Sequence, residues 1–396
     1  MDEQQARKAV VDAGKRLVES GLIARTWGNV SARIDDEHFV ITPSGRDYLS
    51  LREDEVVPVS ITDLSHTGDI KPSGERGVHA EIYKAHPEVQ FVIHTHQDNA
   101  SIAAATDVDA IPVSDAYPEL GKLVLNAEYG LPGMKKIREA VGKATRQSTG
   151  NAVIMRNHGA VCYGKDADEA FQAALDLEDV CWEAVVDGYE PGAKPDEVDE
   201  EAMRQAALVA IAQSYQGKRL KLPRGPHAAS ERTDGGFVLH EGGGSQVYLL
   251  DQPKESMSPE ALLHLAIYKK HKRIGYIVPA DAPDVVAVSR ANVTMDPLID
   301  DFAQIVGPQV KTAFTVGEAA GALRDSAAVL LPGGGALCVG ATEDDAAAVA
   351  TIVEKNSKAL LYGPFLGELE PISMLDRLLM RVVYQMSYSR RIDSNV

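Results

Sequence analysis

Two pairs of related segments, one member in each half of the chain, constrain the fold more than any other sequence feature. Residues 79–98, HAEIYKAHPEVQFVIHTHQD, align without a gap on residues 264–283, HLAIYKKHKRIGYIVPADAP. Residues 151–164, NAVIMRNHGAVCYG, align in the same order on residues 327–340, AAVLLPGGGALCVG. Similar segments that recur in the same order in both halves indicate a repeated structural unit. The sequence therefore predicts two copies of one domain in tandem.

The domain boundaries follow from this repeat. The second copy has no counterpart of the amphipathic helix near the N-terminus and has shorter loops, which puts the boundary near Lys221. We therefore expect a first domain at residues 1–220 and a second at residues 221–396. Each is long enough to bury a hydrophobic core of its own.

A helix, a strand and two histidines follow one another in the first copy. Apolar side chains at Val78, Ile82 and Tyr83 have helical spacing, and Pro87 ends that pattern. Residues 89–93 form a short apolar run rich in β-branched residues, which is typical of a buried strand. His94 and His96 come next, and residues two apart on an extended chain point to the same face. The two imidazoles can therefore reach one metal ion.

A third ligand and a base complete a candidate metal site. A lone H-x-H pattern is weak evidence, because zinc needs at least three protein ligands. His158 supplies the third, in an Asn-His-Gly turn that follows the apolar run 152–155. Glu75, in PSGE just before the helix, is the candidate acid–base group. Taken together, His94, His96, His158 and Glu75 indicate a metal site with its own base.

The metal histidines are missing from the second copy. The alignment replaces each of them: His94 with Pro279, His96 with Asp281 and His158 with Gly334. Glu260 and Ser258 keep the places of Glu75 and Ser73, but a carboxylate without its ion has lost its partner. We therefore interpret the second half as a degenerate, non-catalytic copy. His79 and His86 recur there as His264 and His271, so both are predicted to serve helix packing.

Three short turns in the first copy pair a small or amide side chain with glycine. They are Gly28-Asn29, Ser44-Gly45 and Ser73-Gly74. Glycine lets the backbone approach closely, and clustered backbone N–H groups are a common way to bind phosphate. Each pair alone is also typical of an ordinary turn.

Charge and composition exclude some partners. The 58 acidic residues outnumber the 40 lysines and arginines, for a net charge of −18 without a basic cluster. This balance argues against nucleic acid and against an anionic membrane surface. It leaves room for a small anionic substrate, because backbone loops and a metal ion create local positive potential.

No apolar run reaches the ~20 residues of a membrane span, the N-terminus does not resemble a signal peptide, and the three cysteines are too few for a disulfide framework. We expect a cytoplasmic protein.

Five motifs in order resemble the class II aldolase/adducin family over roughly residues 5–215. The motifs are GNVS at 28–31, TPSG at 42–45, PSGE at 72–75, HTH at 94–96 and NHG at 157–159. The resemblance implies a three-layer α/β/α domain with a central, mainly antiparallel sheet, present twice. It also implies that Zn²⁺, or another divalent cation, binds the three histidines and Glu75. The same resemblance assigns phosphate binding to Gly28, Asn29, Ser44, Gly45, Ser73 and Gly74.

The resemblance further implies a reaction. It is zinc-dependent, reversible aldol cleavage of a phosphorylated sugar through a metal-stabilised enediolate, giving dihydroxyacetone phosphate and an aldehyde. Tyr117 is the nearest candidate for the tyrosine that protonates the aldehyde in these aldolases, although it lies out of register. Sugar-phosphate epimerase, dehydratase and decarboxylase remain alternatives, because relatives with these activities begin from the same site. A non-catalytic, adducin-like interaction module is the alternative of another class, and the intact histidines argue against it.

Assembly is the last expectation from the resemblance. The family's aldolases are four-fold tetramers with active sites between subunits. A chain that already holds two such domains is expected to form a homodimer, which closes a ring of four domains.

Overall fold

The computed structural model describes residues 1–23, 27–213, 220–252 and 257–394, with the side chains of 387–394 excepted. It divides into two compact units. The first is Met1–Val198 with Phe365–Glu370, and the second is Asp199–Pro364 with Pro371–Val396. The division therefore falls before the helix Glu200–Ile211, whereas the sequence placed the boundary near Lys221. That helix packs within the second unit, where Arg204 pairs with Asp284.

The first unit is built on an eight-stranded sheet in the order β3-β2-β1-β4-β8-β7-β6-β5. Only β6 and β7 pair in parallel among the strand pairs of the described residues. The mainly antiparallel sheet expected from the sequence is thus confirmed. The strands are β1 Asn29–Arg33, β2 His38–Ile41, β3 Val57–Ser60, β4 Phe91–Thr95, β5 Ala110–Pro112, β6 Leu123–Ala127, β7 Ala152–Met155 and β8 Gly159–Gly164.

Helices cover both faces of this sheet. Side chains alternate along β4, so Phe91 and Ile93 join the core beneath three helices while Val92 joins the core beneath the other two. The three-layer α/β/α arrangement predicted above is therefore confirmed. The first face carries α1 Glu3–Glu19, α3 Asp98–Ala104 and α5 Ala167–Tyr189, and the second carries α2 Arg76–Ala85 and α4 Lys135–Gln147.

The second unit repeats this sheet without its last two strands. Its order, β11-β10-β9-β12-β14-β13, matches β3-β2-β1-β4-β8-β7 strand by strand. The strands are β9 Ala229–Thr233, β10 Gly236–Glu241, β11 Gly244–Leu249, β12 Tyr276–Ala280, β13 Ala328–Leu331 and β14 Gly335–Gly340. The helices are α6 Glu200–Ile211, α7 Pro259–Lys270, α8 Pro283–Arg290, α9 Val316–Ala322, α10 Glu343–Tyr362 and α11 Met374–Ser394.

Side-chain networks repeat as well as strands. In the first unit the Ser31 hydroxyl lies 2.6 Å from His79 Nδ1 and 2.7 Å from the Tyr83 hydroxyl. Ser230, His264 and Tyr268 make the same contacts at 2.7 and 2.9 Å. Arg33 and Arg232 each lie 4.7 Å from the centre of the adjacent tyrosine ring. These matches extend the alignment to β1 and β9, which sequence comparison did not pair.

The cysteines and the apolar character of the helices are two further features of the structure. All three cysteines are buried as free thiols. Among the residues described, no helix combines the length and apolar character needed to cross a membrane.

Candidate metal centre

Three histidines converge at one end of β4. His94 is the fourth residue of that strand, His96 follows it, and His158 lies in the turn between β7 and β8. Because β4 and β8 are neighbours, with Thr95 opposite Ala160, the turn brings His158 beside the other two. One ring nitrogen from each histidine lies within 4.8 Å of the others, and all three side chains are buried.

Close backbone packing explains the glycines around this cluster. A Cβ atom at Gly159 would lie 2.3 Å from the Thr95 carbonyl oxygen, and one at Gly28 would lie 2.5 Å from that of His94. Gly28 also has a φ of 110°, which side chains disfavour. Both glycines therefore allow the close backbone packing around the histidine cluster.

Glu75 faces the histidine cluster. Its Oε1 lies 2.7 Å from His158 Nε2 and its Oε2 lies 3.2 Å from His94 Nε2. The residue precedes α2, which begins at Arg76, so the helix fixes the point from which the carboxylate reaches inward. The four residues that the sequence analysis grouped are thus together in space.

A chain of hydrogen bonds orients Glu75. A carboxylate only accepts, so Asn29 must present its amide Nδ2 to Glu75 Oε2, at 2.8 Å. Its carbonyl oxygen then accepts from His79 Nε2, which leaves His79 Nδ1 to accept from the Ser31 hydroxyl. Burial lowers the pKa of His79 to about 3, which keeps this ring neutral. His79 is therefore more than a helix-packing residue, because it sets the orientation of Asn29.

Protonation in the cluster suits metal binding. Burial would raise the pKa of Glu75, but His94, His158 and His96 hold that pKa well below its ordinary value. Burial lowers the pKa of His94 to about 3, against the opposing pull of Glu75. A neutral imidazole and an ionised carboxylate are the forms that ligate metal ions.

The donor set fits a divalent cation. His94 Nδ1 donates to the Ala160 carbonyl at 2.8 Å, so its Nε2 carries the lone pair that faces His96 Nε2, 2.9 Å away. An imidazole held by a backbone carbonyl through its other nitrogen is typical of metal-ligating histidines. Three histidines and one carboxylate match catalytic zinc sites, and they also accept other divalent ions.

The three glycine turns lie near this cluster. Asn29 contacts Glu75 directly, and the loops carrying Ser44 and Ser73 run side by side, with Pro43 opposite Pro72. Ser44, Gly45 and Gly74 are exposed, whereas the Ser73 hydroxyl accepts from the Glu75 backbone N–H at 3.2 Å. The structure thus brings the predicted substrate-binding residues together, although Asn29 uses its side-chain carbonyl internally.

A segment from late in the chain also belongs to the first unit. We call residues Phe365–Glu370 the strap. The Glu370 carbonyl accepts from Asn157 Nδ2 at 2.8 Å, and the Glu370 carboxylate lies 3.2 Å from Arg156. Asn157 precedes His158 and has a φ of 57°. Sequence reasoning missed the strap, because the residues that Glu370 contacts lie more than 200 positions earlier in the chain and no motif marks the pairing.

The equivalent place in the second unit holds a different arrangement. Since Ser230 matches Ser31, His227 stands at the position of Gly28. Its side chain is 1% exposed, and its Nδ1 lies 3.1 Å from both carboxylate oxygens of Glu260. His227 Nε2 has no hydrogen-bond partner among the described residues, and a Cβ at Gly334 would lie 2.3 Å from it. His227 thus occupies space beside the position aligned with His158.

Tyr117 takes no part in the cluster contacts. Its hydroxyl donates to Glu183 on α5 at 2.8 Å, and burial with that carboxylate raises its pKa to about 12. The structure therefore gives Tyr117 a packing and hydrogen-bonding role on α5.

A family model matches this chain in both halves. The family model described as Class II Aldolase and Adducin N-terminal domain matches residues 8–185 and again 194–361. L-ribulose-5-phosphate 4-epimerase UlaF of Salmonella paratyphi A is 31% identical over 206 residues, which cover 48% of this chain and 90% of that protein. The same enzyme of Salmonella typhi matches equally.

Two solved structures each cover about half of the chain. An L-fuculose 1-phosphate aldolase shares 28% identity with a TM-score of 0.44, covering 49% of this chain and 92% of that one. The L-fuculose-1-phosphate aldolase from Thermus thermophilus shares 24% identity with a TM-score of 0.40, covering 48% and 96%.

Proposed function

Because the chain belongs to the class II aldolase and adducin family, we propose that it is a metal-dependent aldolase acting on a phosphorylated sugar. The observation that supports this proposal most is the buried convergence of His94, His96 and His158 on the ionised carboxylate of Glu75. A non-catalytic interaction module has no need to bury such a set, since buried polar groups without a purpose destabilise a fold.

The three histidines would hold the cation, which we propose to be Zn²⁺, with Glu75 as a ligand or neighbour. When bound, a divalent cation supplies Lewis-acid polarisation of substrate carbonyl and hydroxyl oxygens. The backbone carbonyl of Ala160 fixes the ring of His94, so this ligand is oriented in advance.

Glu75 is proposed to move the proton. In the direction of condensation, its carboxylate takes a proton from the carbon beside the carbonyl of dihydroxyacetone phosphate. That carbon then bonds to the aldehyde carbon as the aldehyde C=O opens, and the carboxyl group passes the proton to the aldehyde oxygen. In cleavage the carboxylate takes the proton from this hydroxyl as the carbon–carbon bond breaks and returns it to the carbon of dihydroxyacetone phosphate. Asn29, held by His79, keeps one carboxylate oxygen directed at the cluster. A base oriented by a second group is the usual requirement for general acid–base catalysis.

The three turns are proposed to bind the substrate's phosphate. Ser44, Gly45 and Gly74 are exposed beside the cluster, and together with Gly28, Asn29 and Ser73 they offer small side chains and backbone N–H groups. Such groups bind a dianion without a basic patch, which suits a chain with a net charge of −18.

Epimerisation of a sugar phosphate is the second candidate. It is favoured by the 31% identity with L-ribulose-5-phosphate 4-epimerase over 90% of that protein. The two activities need the same cation and the same acid–base group, and they differ in whether a fragment leaves.

One assay separates these candidates. The full chain, loaded with zinc, is incubated with a panel of ketose 1- and 5-phosphates, and both dihydroxyacetone phosphate and the C4 epimer of each substrate are measured. Release of dihydroxyacetone phosphate supports the aldolase, and epimer without release supports the epimerase. If the zinc-loaded chain forms neither product, the non-catalytic interaction module is the remaining candidate. His96→Ala serves as the metal-poor control.

We also propose that the chain is a homodimer of about 85 kDa, twice its 42.5 kDa. Helix α11 of the second unit supports an interface, since large apolar side chains line its solvent-facing side. They are exposed by about half or more at Leu375, Leu378, Leu379, Val382, Val383 and Met386.

A further inference from the structure

His96 lies just outside the strand that carries His94. The pairing of β4 with β8 ends at Thr95, opposite Ala160, one residue before His96. The next regular element, α3, begins at Asp98. The chain at His96 is thus a short link between a strand and a helix, so its position depends on what holds the start of that helix.

The start of α3 is held by α5. Gln97 is the N-cap residue of α3, but its side chain forms no capping bond and instead donates to the Ala174 carbonyl on α5 at 2.8 Å. The Glu178 carboxylate, also on α5, accepts from the backbone N–H groups of Asn99 at 2.7 Å and Ala100 at 3.1 Å. These are the donors that an N-cap side chain normally accepts from. Hydrogen bonds in both directions therefore join α3 to α5.

The Glu178 carboxylate keeps this place against the effect of burial. Burial raises the pKa of Glu178, and the N–H groups of Asn99 and Ala100 oppose that rise. A carboxylate withdrawn from water needs such donors, and hydrogen bonds to a charged acceptor are about twice as strong as those between neutral groups. Loss of the charge should therefore loosen the start of α3.

The second copy has changed both halves of this connection. Ala282 takes the place of Gln97 and has no side-chain amide to donate. Helices α5 and α10 begin at aligned positions, which puts Glu354 at the place of Glu178. The Glu354 side chain is 42% exposed and lies 3.9 Å from Lys358. The copy without metal histidines has thus lost the contact from the N-cap residue and directs this glutamate to a lysine on its own helix.

We propose that Glu178 is a positioning residue for metal binding, because its carboxylate fixes the start of α3 and thereby the place of the His96 ring in the cluster. The inference rests on the metal centre of the proposed function, but it needs no substrate. Among the described residues, Glu178 bonds to neither a ligand histidine nor Glu75. Its effect on the metal therefore passes through the chain between His96 and Ala100.

The test compares Glu178→Gln with the unmodified full chain. Zinc affinity is measured by competition with a chromophoric chelator, and the absorption spectrum of the cobalt-substituted chain reports ligand geometry. Glutamine at residue 178 accepts from one N–H group but turns its own NH2 group towards the other. We therefore expect zinc affinity to fall about tenfold and the cobalt spectrum to change.

Glu183→Gln is the matched control. Glu183 lies on the same helix, and its carboxylate accepts from the Tyr117 hydroxyl. This variant removes the same charge from α5 without touching the hydrogen bonds to α3. Zinc affinity and the cobalt spectrum should both stay as in the unmodified chain.

Two further variants keep the result interpretable. Glu178→Asp keeps the charge on a shorter side chain, so its zinc affinity should lie between those of Glu178→Gln and the unmodified chain. Gln97→Ala copies the residue of the second copy and removes the hydrogen bond to Ala174, so it should also change the cobalt spectrum. If Glu178→Gln does not fold, unchanged metal measurements in both of these variants would overturn the inference.

The outcomes separate positioning from stability. Lower urea stability of Glu178→Gln, with zinc affinity and cobalt spectrum unchanged, would show that Glu178 stabilises α3 only and would overturn the inference. An equal change in Glu183→Gln would do the same. Glu178-dependent zinc binding by a chain that turns over no sugar phosphate would refute the proposed function alone. Turnover with zinc affinity unaffected by Glu178→Gln would refute the positioning role alone.

Discussion

Replacing Asn157 tests whether the strap positions the third metal ligand. Asn157 donates its side-chain amide to the Glu370 carbonyl at 2.8 Å and has a φ of 57°. Alanine loses that hydrogen bond, worth about 1 kcal/mol, and pays about 1–2 kcal/mol for the left-handed backbone. If this whole loss, ~2–3 kcal/mol, is taken from the free energy of zinc binding because His158 is displaced, zinc affinity falls about 30- to 150-fold.

Glycine at the same position separates the two contributions. Asn157→Gly also loses the amide, but glycine adopts positive φ without strain. We therefore expect zinc affinity to fall only about fivefold in this variant, which corresponds to the hydrogen bond alone. Glu370→Gln is the second control, because it removes the ion pair with Arg156 while it keeps the carbonyl that Asn157 uses.

Zinc affinity is measured by competition with a chromophoric chelator, and the absorption spectrum of the cobalt-substituted chain reports ligand geometry. We expect zinc affinity to be lowest in Asn157→Ala, intermediate in Asn157→Gly and highest in the unmodified chain. We also expect the cobalt spectrum to change in the alanine variant. Equal zinc affinity in all three proteins would refute it. A fall in urea stability without a change in either metal measurement would show that the strap acts in folding only.

Four shorter predictions follow from other parts of the structure. Elemental analysis should find about one divalent ion per chain, removed by His96→Ala together with activity; two ions per chain would contradict the histidine assignment. Ser73→Asp should raise KM for a phosphorylated substrate strongly while zinc content stays constant, and equal turnover of the dephosphorylated sugar would argue against the turns. Sedimentation should give a particle of about 85 kDa, twice the 42.5 kDa chain, and a fully active monomer would exclude the homodimer. Burial would raise the pKa of Glu260, but hydrogen bonds from His227 and His264 lower it to about 2, so its stabilising contribution is present above the ordinary carboxyl pKa and is lost as pH falls towards 2. Urea unfolding from pH 5 downwards should therefore show a smaller acid-induced loss in Glu260→Gln than in the unmodified chain, and identical losses would disprove this role.

The parts of the fold and of the site that depend on local sequence patterns could be predicted from the sequence. The H-x-H spacing at the end of a β-branched run placed His94 and His96 on one face, and the repeat predicted matching sheets in both halves. His158 was predicted from its Asn-His-Gly turn after the apolar run 152–155. These features depend on periodicity and on pairing between neighbouring strands, which residue types report directly.

Other parts of the site depend on contacts that residue types do not report. The strap contacts residues more than 200 positions earlier in the chain, through the backbone of Glu368 and Glu370 and through the Glu370 carboxylate, and no local pattern marks these contacts. Arg138 packs across α2 at Gly77, where a Cβ would lie 2.6 Å from Arg138 Cδ. The boundary near Lys221 missed the division at residues 198 and 199, because a helix that joins the second unit precedes the repeated segment.

The position of His227 has an evolutionary consequence. A side chain at residue 334 would begin 2.3 Å from His227 Nε2, so a mutation that restores histidine there meets a steric clash before it can gain a ligand. Alanine at residue 334 meets the same contact, so the His227 ring must shift before any side chain fits there. Reversion of the second copy therefore requires His227 to move or to be replaced, which disturbs its contact with Glu260 and brings no benefit by itself. Homologues that carry histidine at position 334 should accordingly carry glycine or another small residue at 227.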